Sequence, residues 1–479
     1  MPLDFLHGIE VIEVSDGIRP IQTIKSSVIG LIGTAPDADA NIFPLDTPVL
    51  ITGDPRKAAS LGAAGTLKDA IDDIFDQIGA AVVVVRVAEG ASAPESISNI
   101  IGDVTLAKGV HAFRGAKGAL GVTPRILIAP GFTGQRTTNG VLTIAVQGGG
   151  SGYTSAPEVQ ITGGGANAKG ARATATVVAG AVTAITVTNN GTGYTEDPTV
   201  TLVGGGGSAA QVGAITRGSA RDAVVAELMG IANQLRSVII ADGPNTTNTD
   251  AVTYAGDWGS DRVYIVDPNV LVWDTVNDVN IVRPLSARAA GVIARMDKEK
   301  GFWWSPSNQE IFGITGVARA IGFGMSDVNS DSNYLNENKV TTVIRHNGFR
   351  LWGNRTTASD PLWAFLSVRR TADMIYESVE AAFLWALDRP LTKNNILEIP
   401  ESVNAYLRHL KALGAIIGGE SWIDPTLNTP AVLMAGQLYV DFDIEPPAPL
   451  ERLTFRAHRN VEYYEELIDE VVRELAASA

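Results

Sequence analysis

With 479 residues the chain is long enough for about three domains at roughly 150 residues each, and its 45% hydrophobic content supplies a substantial core. Charged residues reach only 19% while glycine is high at 50 residues, and 52 acidic against 37 basic residues leave a net charge of −15. That excess opposes loose binding to nucleic acid or an anionic membrane, and zero cysteines remove disulfides and every thiolate metal or nucleophile site.

The opening Met1-Pro2-Leu3-Asp4-Phe5-Leu6-His7 has no basic stretch before an apolar one, so no secretory signal is expected. No apolar run is long enough to predict a membrane span, and a soluble protein made in the cytoplasm is expected. Residues 8–25 are β-prone but core-poor and predict an extended arm. A short buried strand over 27–33 and the turn Thr34-Ala35-Pro36-Asp37 follow. Asp54-Pro55 predicts a capped helix start. Thr66 with Asp69 predicts a variant capping box for a helix whose apolar face is Leu67, Ile71, Ile74, Phe75 and Ile78. Ala81–Val87 is apolar without alternation, as in a strand covered on both faces, and 125–130 predicts another.

Residues 140–213 are nearly uncharged and contain a duplication. Val141, Ile144, Gly152-Tyr153-Thr154, Pro157, Val159, Ile161 and Gly163-Gly164-Gly165 recur as Val182, Ile185, Gly193-Tyr194-Thr195, Pro198, Val200, Leu202 and Gly204-Gly205-Gly206. A small all-β domain with glycine turns is expected, inserted in an α/β crossover and protruding from the body. Tyr153 and Tyr194 suit either sugar binding or structural packing. From 219 the α/β pattern resumes, with a helix over 219–235 and strands over 237–242 and 262–267. Helices are predicted over 361–387 and 400–417, an alternating strand over 437–445, and a stiff Pro446-Pro447-Ala448-Pro449 hinge. Beyond the hinge a second strand places Leu453, Phe455 and Ala457 on one face, and an acidic helix capped by Asn460 covers 461–475.

Enzymatic constellations are scarce. His7, His111, His346, His409 and His458 show no helical zinc spacing, and the Asn- and Asp-rich 327–338 lacks the EF-hand pattern. Gly30-Leu31-Ile32-Gly33 lacks the third glycine of a dinucleotide fingerprint, and no phosphate loop or Gly-x-Ser-x-Gly elbow occurs. Two carboxylates converging across a cleft, as in a glycosidase, stay open at this level.

Three stretches carry a resemblance. They are the N-terminal 7–14, which opens His7-Gly8-Ile9-Glu10-Val11, then 347–356 with Gly348-Phe349-Arg350-Leu351-Trp352-Gly353-Asn354-Arg355-Thr356, and the Pro hinge with the β–β segment and acidic tail around it. The strand leading to Gly33-Thr34-Ala35-Pro36 adds to them. Together with the helix and strand of 67–87 they resemble the tail sheath proteins of contractile bacteriophages, over 7–130 and 219–460. The resemblance implies an α/β and α+β multidomain fold, a tail-sheath-like core with a Gly-rich all-β insertion domain and extended N- and C-terminal arms. Its expected division is a linking arm at 1–26, a protruding α/β domain at 27–120, and a discontinuous sheath domain at 121–139 and 214–345. The insertion at 140–213, a C-terminal core at 346–449 and a second arm at 450–479 complete it.

The resemblance also implies a structural subunit and no enzyme or cofactor. Such subunits polymerise as a helical sleeve around the tail tube and contract, driving the tube through the host envelope for genome ejection. The implied partners are further copies of the chain, the tube protein, and baseplate and tail terminator proteins, without nucleic acid or membrane insertion. A host-surface contact through 140–213 stays open. The subunit-contact candidates are Ile9, Val11, Arg350, Trp352, Arg355, Leu453, Phe455, Glu465 and Glu466. The alternative is an extracellular polymer- or carbohydrate-binding protein led by the repeat.

Overall fold

The computed structural model describes residues 21–478, in two units, Met1–Pro447 and Ala448–Ala479. The expected arm residues Ile9 and Val11 lie outside the described residues.

In the first unit β1 (Ile29–Thr34) and β2 (Pro48–Thr52) precede α1 (Pro55–Ala59), whose Asp54 cap accepts from Arg56 N at 3.0 Å. α2 (Leu67–Phe75) buries Leu67, Ile71 and Ile74 as its spacing predicts. The capping box does not form. Thr66 Oγ1 accepts instead from Thr34 N at 3.2 Å, tying the helix start to the end of β1. β3 (Ala81–Val87), α3 (Ala93–Ile101), α4 (Ala116–Leu120) and β4 (Ile126–Ile128) follow.

Six strands then form a sheet of their own. They are β5 (Thr137–Ser151), β6 (Glu158–Thr162), β7 (Lys169–Val178), β8 (Ala181–Thr192), β9 (Thr199–Val203) and β10 (Ser208–Ala220). The chain returns through α5 (Ala223–Leu235), β11 (Val238–Asp242), α6 (Asn248–Gly256) and β12 (Val263–Val266). Next come β13 (Val270–Asp274), β14 (Val279–Arg283), α7 (Ser286–Glu299), β15 (Gln309–Glu310), β16 (Gly316–Val317), α8 (Asp331–Glu337), β17 (Val340–Arg345) and β18 (Phe349–Trp352).

The main sheet has nine strands in the order β15-β18-β17-β12-β11-β4-β1-β3-β2. Its six strands from β17 to β3 are mutually parallel, β18 and β2 pair antiparallel to the two ends of that group, and β15 pairs antiparallel to β18. Consecutive residues enter opposite cores: Val82 and Val84 join Ile126, Ile240 and Tyr264, whereas Val83 and Val85 join Leu127, Ile239 and Ile265. Burial on both faces is why these strands are apolar without alternation. Gly30 is needed because a Cβ there would lie 2.8 Å from Leu127 Cδ2 and 2.9 Å from Pro124 Cβ.

The six-stranded sheet runs antiparallel in the order β10-β5-β8-β7-β6-β9, and its strands extend past 140–213 at both ends. The duplication appears as a local twofold. Ile144 pairs with its equivalent Ile185, and Val159 and Ile161 pair with Leu202 and Val200, so each copy offers the other the same surface. Tyr153 packs against the second glycine run, where a Cβ on Gly207 would meet its ring at 2.4 Å. Tyr194 packs reciprocally against Gly164, at the same distance. Both tyrosines are buried, which is the structural of their two readings.

The last part of this unit has its own core. The expected 361–387 helix is broken: a short turn (Pro361–Trp363) capped by Asp360 precedes α9 (Leu366–Ala382), because Leu366 N bonds to Asn354 O at 2.8 Å and Phe365 stays extended. α10 (Lys393–Ala412) starts seven residues before the expected Pro400, capped by Thr392, and holds Pro400 inside. β19 (Ser421–Trp422), α11 (Pro430–Met434) and β20 (Asp441–Phe442) follow. The expected 437–445 strand shrinks to β20 since the Asn428 amide takes both Tyr439 N and Tyr439 O, each at 2.8 Å.

In the second unit, residues 449–460 pair with no strand among the described residues, contrary to the strand expected over 451–458, because extended backbone counts as a strand only where a partner strand takes its hydrogen bonds. α12 (Tyr463–Ala477) follows, with Asn460 Oδ1 accepting from Glu462 N at 3.0 Å.

Candidate subunit interface

β19 and β20 make a two-stranded antiparallel sheet, Ser421 opposite Phe442 and Trp422 opposite Asp441. A bridge between Gly418 and Glu445 prolongs it. Two strands are marginal alone. Here α10 supports one edge: Asn404 Nδ2 donates to Ser421 O at 2.9 Å, and Asn404 Oδ1 accepts from Ser421 N at 2.8 Å. On the other side Asp443 N bonds to Glu420 O and Glu445 N to Gly418 O, so alternation turns the backbone groups of Phe442 and Ile444 away from β19. That outer edge of β20 has no strand beside it among the described residues. The side chains of Phe442 and Ile444 pack on the third core, while Asp441, Asp443 and Glu445 belong to the other face. From 418 to 447 there are no lysines, arginines or histidines.

The segment 451–459 has the matching pattern. Leu453 is 65% exposed and Phe455 86%, whereas Arg452, Thr454, Arg456 and His458 alternate with them. Glu465 and Glu466 stand in the exposed first turn of α12. Sequence reading singled out 451–458 but not the β20 edge, although the base-free acidic run 418–447 was a usable signal.

Arg350, Trp352 and Arg355 fall near one another but do not converge on one partner. Arg350 Nε and Nη1 donate to His346 O and Asn308 O, each at 2.9 Å, which holds the β15–β18 corner. Trp352 is half-buried and packs edge-on against Phe323 with centroids 5.2 Å apart. The Arg355 guanidinium sits 5.0 Å over the Phe365 ring. Gly348 and Gly353 both take positive φ, at 97° and 138°, as a tight corner requires.

At the start of the described residues, Ile21 and Ile24 pack on the third core. Thr23 Oγ1 lies 2.9 Å from the Tyr406 hydroxyl, and Ile24 N donates to Ser378 Oγ at 3.2 Å.

In a parallel sheet of this order ligands bind outside the strand ends where the winding reverses, here between β1 and β4. That crevice is filled. Thr66 N bonds to Thr34 O at 2.9 Å, and a Cβ on Gly65 would lie 2.3 Å from the same oxygen. The neighbouring strand-end carboxylates are also engaged: Asp242 accepts from Ser286 N at 2.7 Å and Oγ at 2.5 Å, and Asp267 pairs with Arg319. A cleft of about 640 Å³ lies between the six-stranded sheet and α5 and includes Thr186, Asn190, Glu227 and Asp257. Its carboxylates are taken too: Glu227 lies 3.2 Å from His111, whose burial lowers its pKa, and Asp257 accepts from Arg136 Nε at 2.9 Å. Among the described residues no group of His, Asp and Glu could hold a metal ion, and no helix is long and apolar enough to cross a membrane.

Comparison with known proteins decides what kind of chain carries this edge and arm. Residues 26–87 match the tail sheath protein Gp18 domain III N-terminal region, 208–357 the phage tail sheath protein central domain, and 358–459 the phage tail sheath C-terminal domain. A prophage major tail sheath protein of Pseudomonas aeruginosa (strain UCBPP-PA14) is 32% identical over 472 residues, 98% of this chain and 100% of its own length. The chain belongs to the phage tail sheath protein family. The tail sheath protein of Burkholderia phage BcepMu is 35% identical over 97% of this sheath protein and 98% of its own length, and that of Escherichia phage P2 29% over 98% and 99%. The fold is shared with the helical sheath of the anti-feeding prophage in its contracted state. That match has TM-score 0.59 and 16% identity, over 96% of this chain and 100% of that one. It is shared as well with the contracted sheath complex of the extracellular contractile injection system PVC, with TM-score 0.58 and 14% identity, over 97% and 100%. The three family regions leave 88–207 between them and stop at 459, before α12.

Proposed function

We propose that the chain polymerises as a helical sleeve around a tail tube and that strand addition between copies holds the sleeve together. The open edge of β20 carries this reading. An arm strand laid along it would set Leu453, Phe455 and Ala457 beside Phe442 and Ile444, and Arg452 and Arg456 beside Asp441, Asp443 and Glu445. Backbone bonds then supply affinity and the alternating side chains supply register. Insertion from the same chain would need a tight hairpin across Pro446-Pro447-Ala448-Pro449, which stiff extended prolines oppose. The edge is therefore filled by a neighbour.

Contraction is a change in how these bodies pack, with the arms as tethers that keep neighbours joined. It drives the tube through the host envelope and consumes no nucleotide. The filled switch point and engaged carboxylates favour a structural over an enzymatic role. Baseplate and tail terminator proteins bound the sleeve at its ends, and it assembles in the bacterial cytoplasm. The six-stranded sheet is an inserted domain facing outward, where its uncharged threonine-rich strands are available to a host surface.

Electron microscopy of the purified chain tests the proposal. Rings or tubes are expected, with Phe455→Asp leaving separate particles. Uniform monomers from the unaltered chain at all concentrations would refute it.

A further inference from the structure

Among the described residues nothing covers the apolar stripe of α12. Tyr464, Leu467, Ile468, Val471, Val472 and Leu475 recur at helical spacing, all exposed, and no residue of the helix is buried. Six carboxylates, Glu462, Glu465, Glu466, Asp469, Glu470 and Glu474, face one base, Arg473. A short helix in water needs that stripe covered to be stable, and a second copy of the same helix is poor cover because like charges would meet.

A surface of opposite character lies at the C-terminal turn of α10. Arg408, His409 and Lys411 are exposed there, beside Leu413 at 50% and Ile417 at 62% exposure. This turn leads directly into β19, so the acidic sheet edge and the basic apolar turn are consecutive. The arm carries the complementary charges element by element, a basic strand for the acidic edge and an acidic helix for the basic turn. Reach narrows the choice further. From Arg459 to Tyr463 the chain spans at most about 14 Å, so α12 must land close to the end of the added strand. Ile417 N bonds to Glu445 O at 2.8 Å, which puts the apolar turn at the Glu445 end of the β20 edge.

We infer that α12 of one copy docks on the Leu413–Ile417 turn of a second copy, its carboxylates against Arg408 and Lys411. The arm strand then runs parallel to β20, finishing beside Glu445. This rests on the strand-addition reading above and adds a second, electrostatic point of attachment, made by a helix that lies outside the regions matched to the family.

The absence of cysteine makes a cross-linking test clean. Full-length Val471→Cys and Leu413→Cys chains are co-assembled, treated with a short bismaleimide, and run on a denaturing gel. A covalent dimer from the mixture is expected, with neither variant yielding it alone. Adding Arg408→Glu and Lys411→Glu to the Leu413→Cys chain should lower the yield about tenfold. A Thr454→Cys and Asp443→Cys mixture reports on the strand alone. If that pair cross-links and the first does not, helix docking is wrong while strand addition stands. If neither does, both fail. A link confined to single chains of the Val471→Cys, Leu413→Cys double variant would overturn docking on a second copy.

Discussion

Arg370 Nη2 lies 2.5 Å from Asp297 Oδ2 and 3.2 Å from Ser26 O, so one guanidinium fastens α9, α7 and the chain just ahead of β1. Both side chains of the ion pair are nearly fully buried. The chain just ahead of β1 is thereby fixed to α9, whose Met374 and Ile375 belong to the third core. Arg370→Ala strands a buried carboxylate and should cost about 3–5 kcal/mol in urea unfolding of unassembled protein. A loss below about 1 kcal/mol would mean that the pair is not closed in solution.

Acidification should stabilise the body. Burial without a cationic partner pushes Asp222 up to about 7 and Asp242 up to about 6, from an ordinary value of 3.8. The folded state thus holds protons that the unfolded state has released. Their contribution is fully present below pH about 4 and is lost as pH rises through 6 to 7. Melting temperature should therefore fall from pH 5 to pH 8, and Asp222→Asn should flatten the slope. A rise over that range would show that other groups dominate.

Removal of the six-stranded sheet should leave the body folded. Thr137 and Ala220 are paired neighbours at its root, so a short Gly-Ser linker can join 136 to 221 at roughly 1 kcal/mol of closure cost. Its contacts with α3 are peripheral, an Arg172–Glu95 pair at 3.5 Å and an Asn189 bond to Pro94 O at 3.5 Å. Circular dichroism melting of the excised chain checks this, and an unfolded product would mean that the sheet supports the core.

Around the Trp-Gly corner the bonds seen are internal. Trp352 is half-buried, so Trp352→Ala should cost about 2 kcal/mol, below the roughly 3–5 of a fully buried tryptophan. Arg350→Ala should cost about 1 kcal/mol and leave the polymerisation threshold unchanged. A shifted threshold with an unchanged monomer melt would instead assign Arg350 to the interface between copies.

Local chemistry made most of the body legible. The unalternating apolar run Ala81–Val87 suited a doubly covered strand, and the offset of 41 residues between Tyr153 and Tyr194 announced a duplicated unit. What stayed hidden depended on distant partners. The Thr66 hydroxyl left its own helix for Thr34, and the Asn428 amide took over the backbone of Tyr439, events that no local pattern encodes. The apolar alternation of Leu453 and Phe455 was legible and the acidic run 418–447 left a signal, yet the support of β19 by Asn404 became visible only once α10 and β19 were seen side by side.

Strand addition between copies is tested most directly by electron microscopy of the chain ending at residue 449, against full-length protein at equal concentration and salt. The full chain is expected to form rings or tubes, and the shortened one to remain as separate bodies with an unchanged melting temperature. Tubes of ordinary length and diameter from the shortened chain would contradict the account.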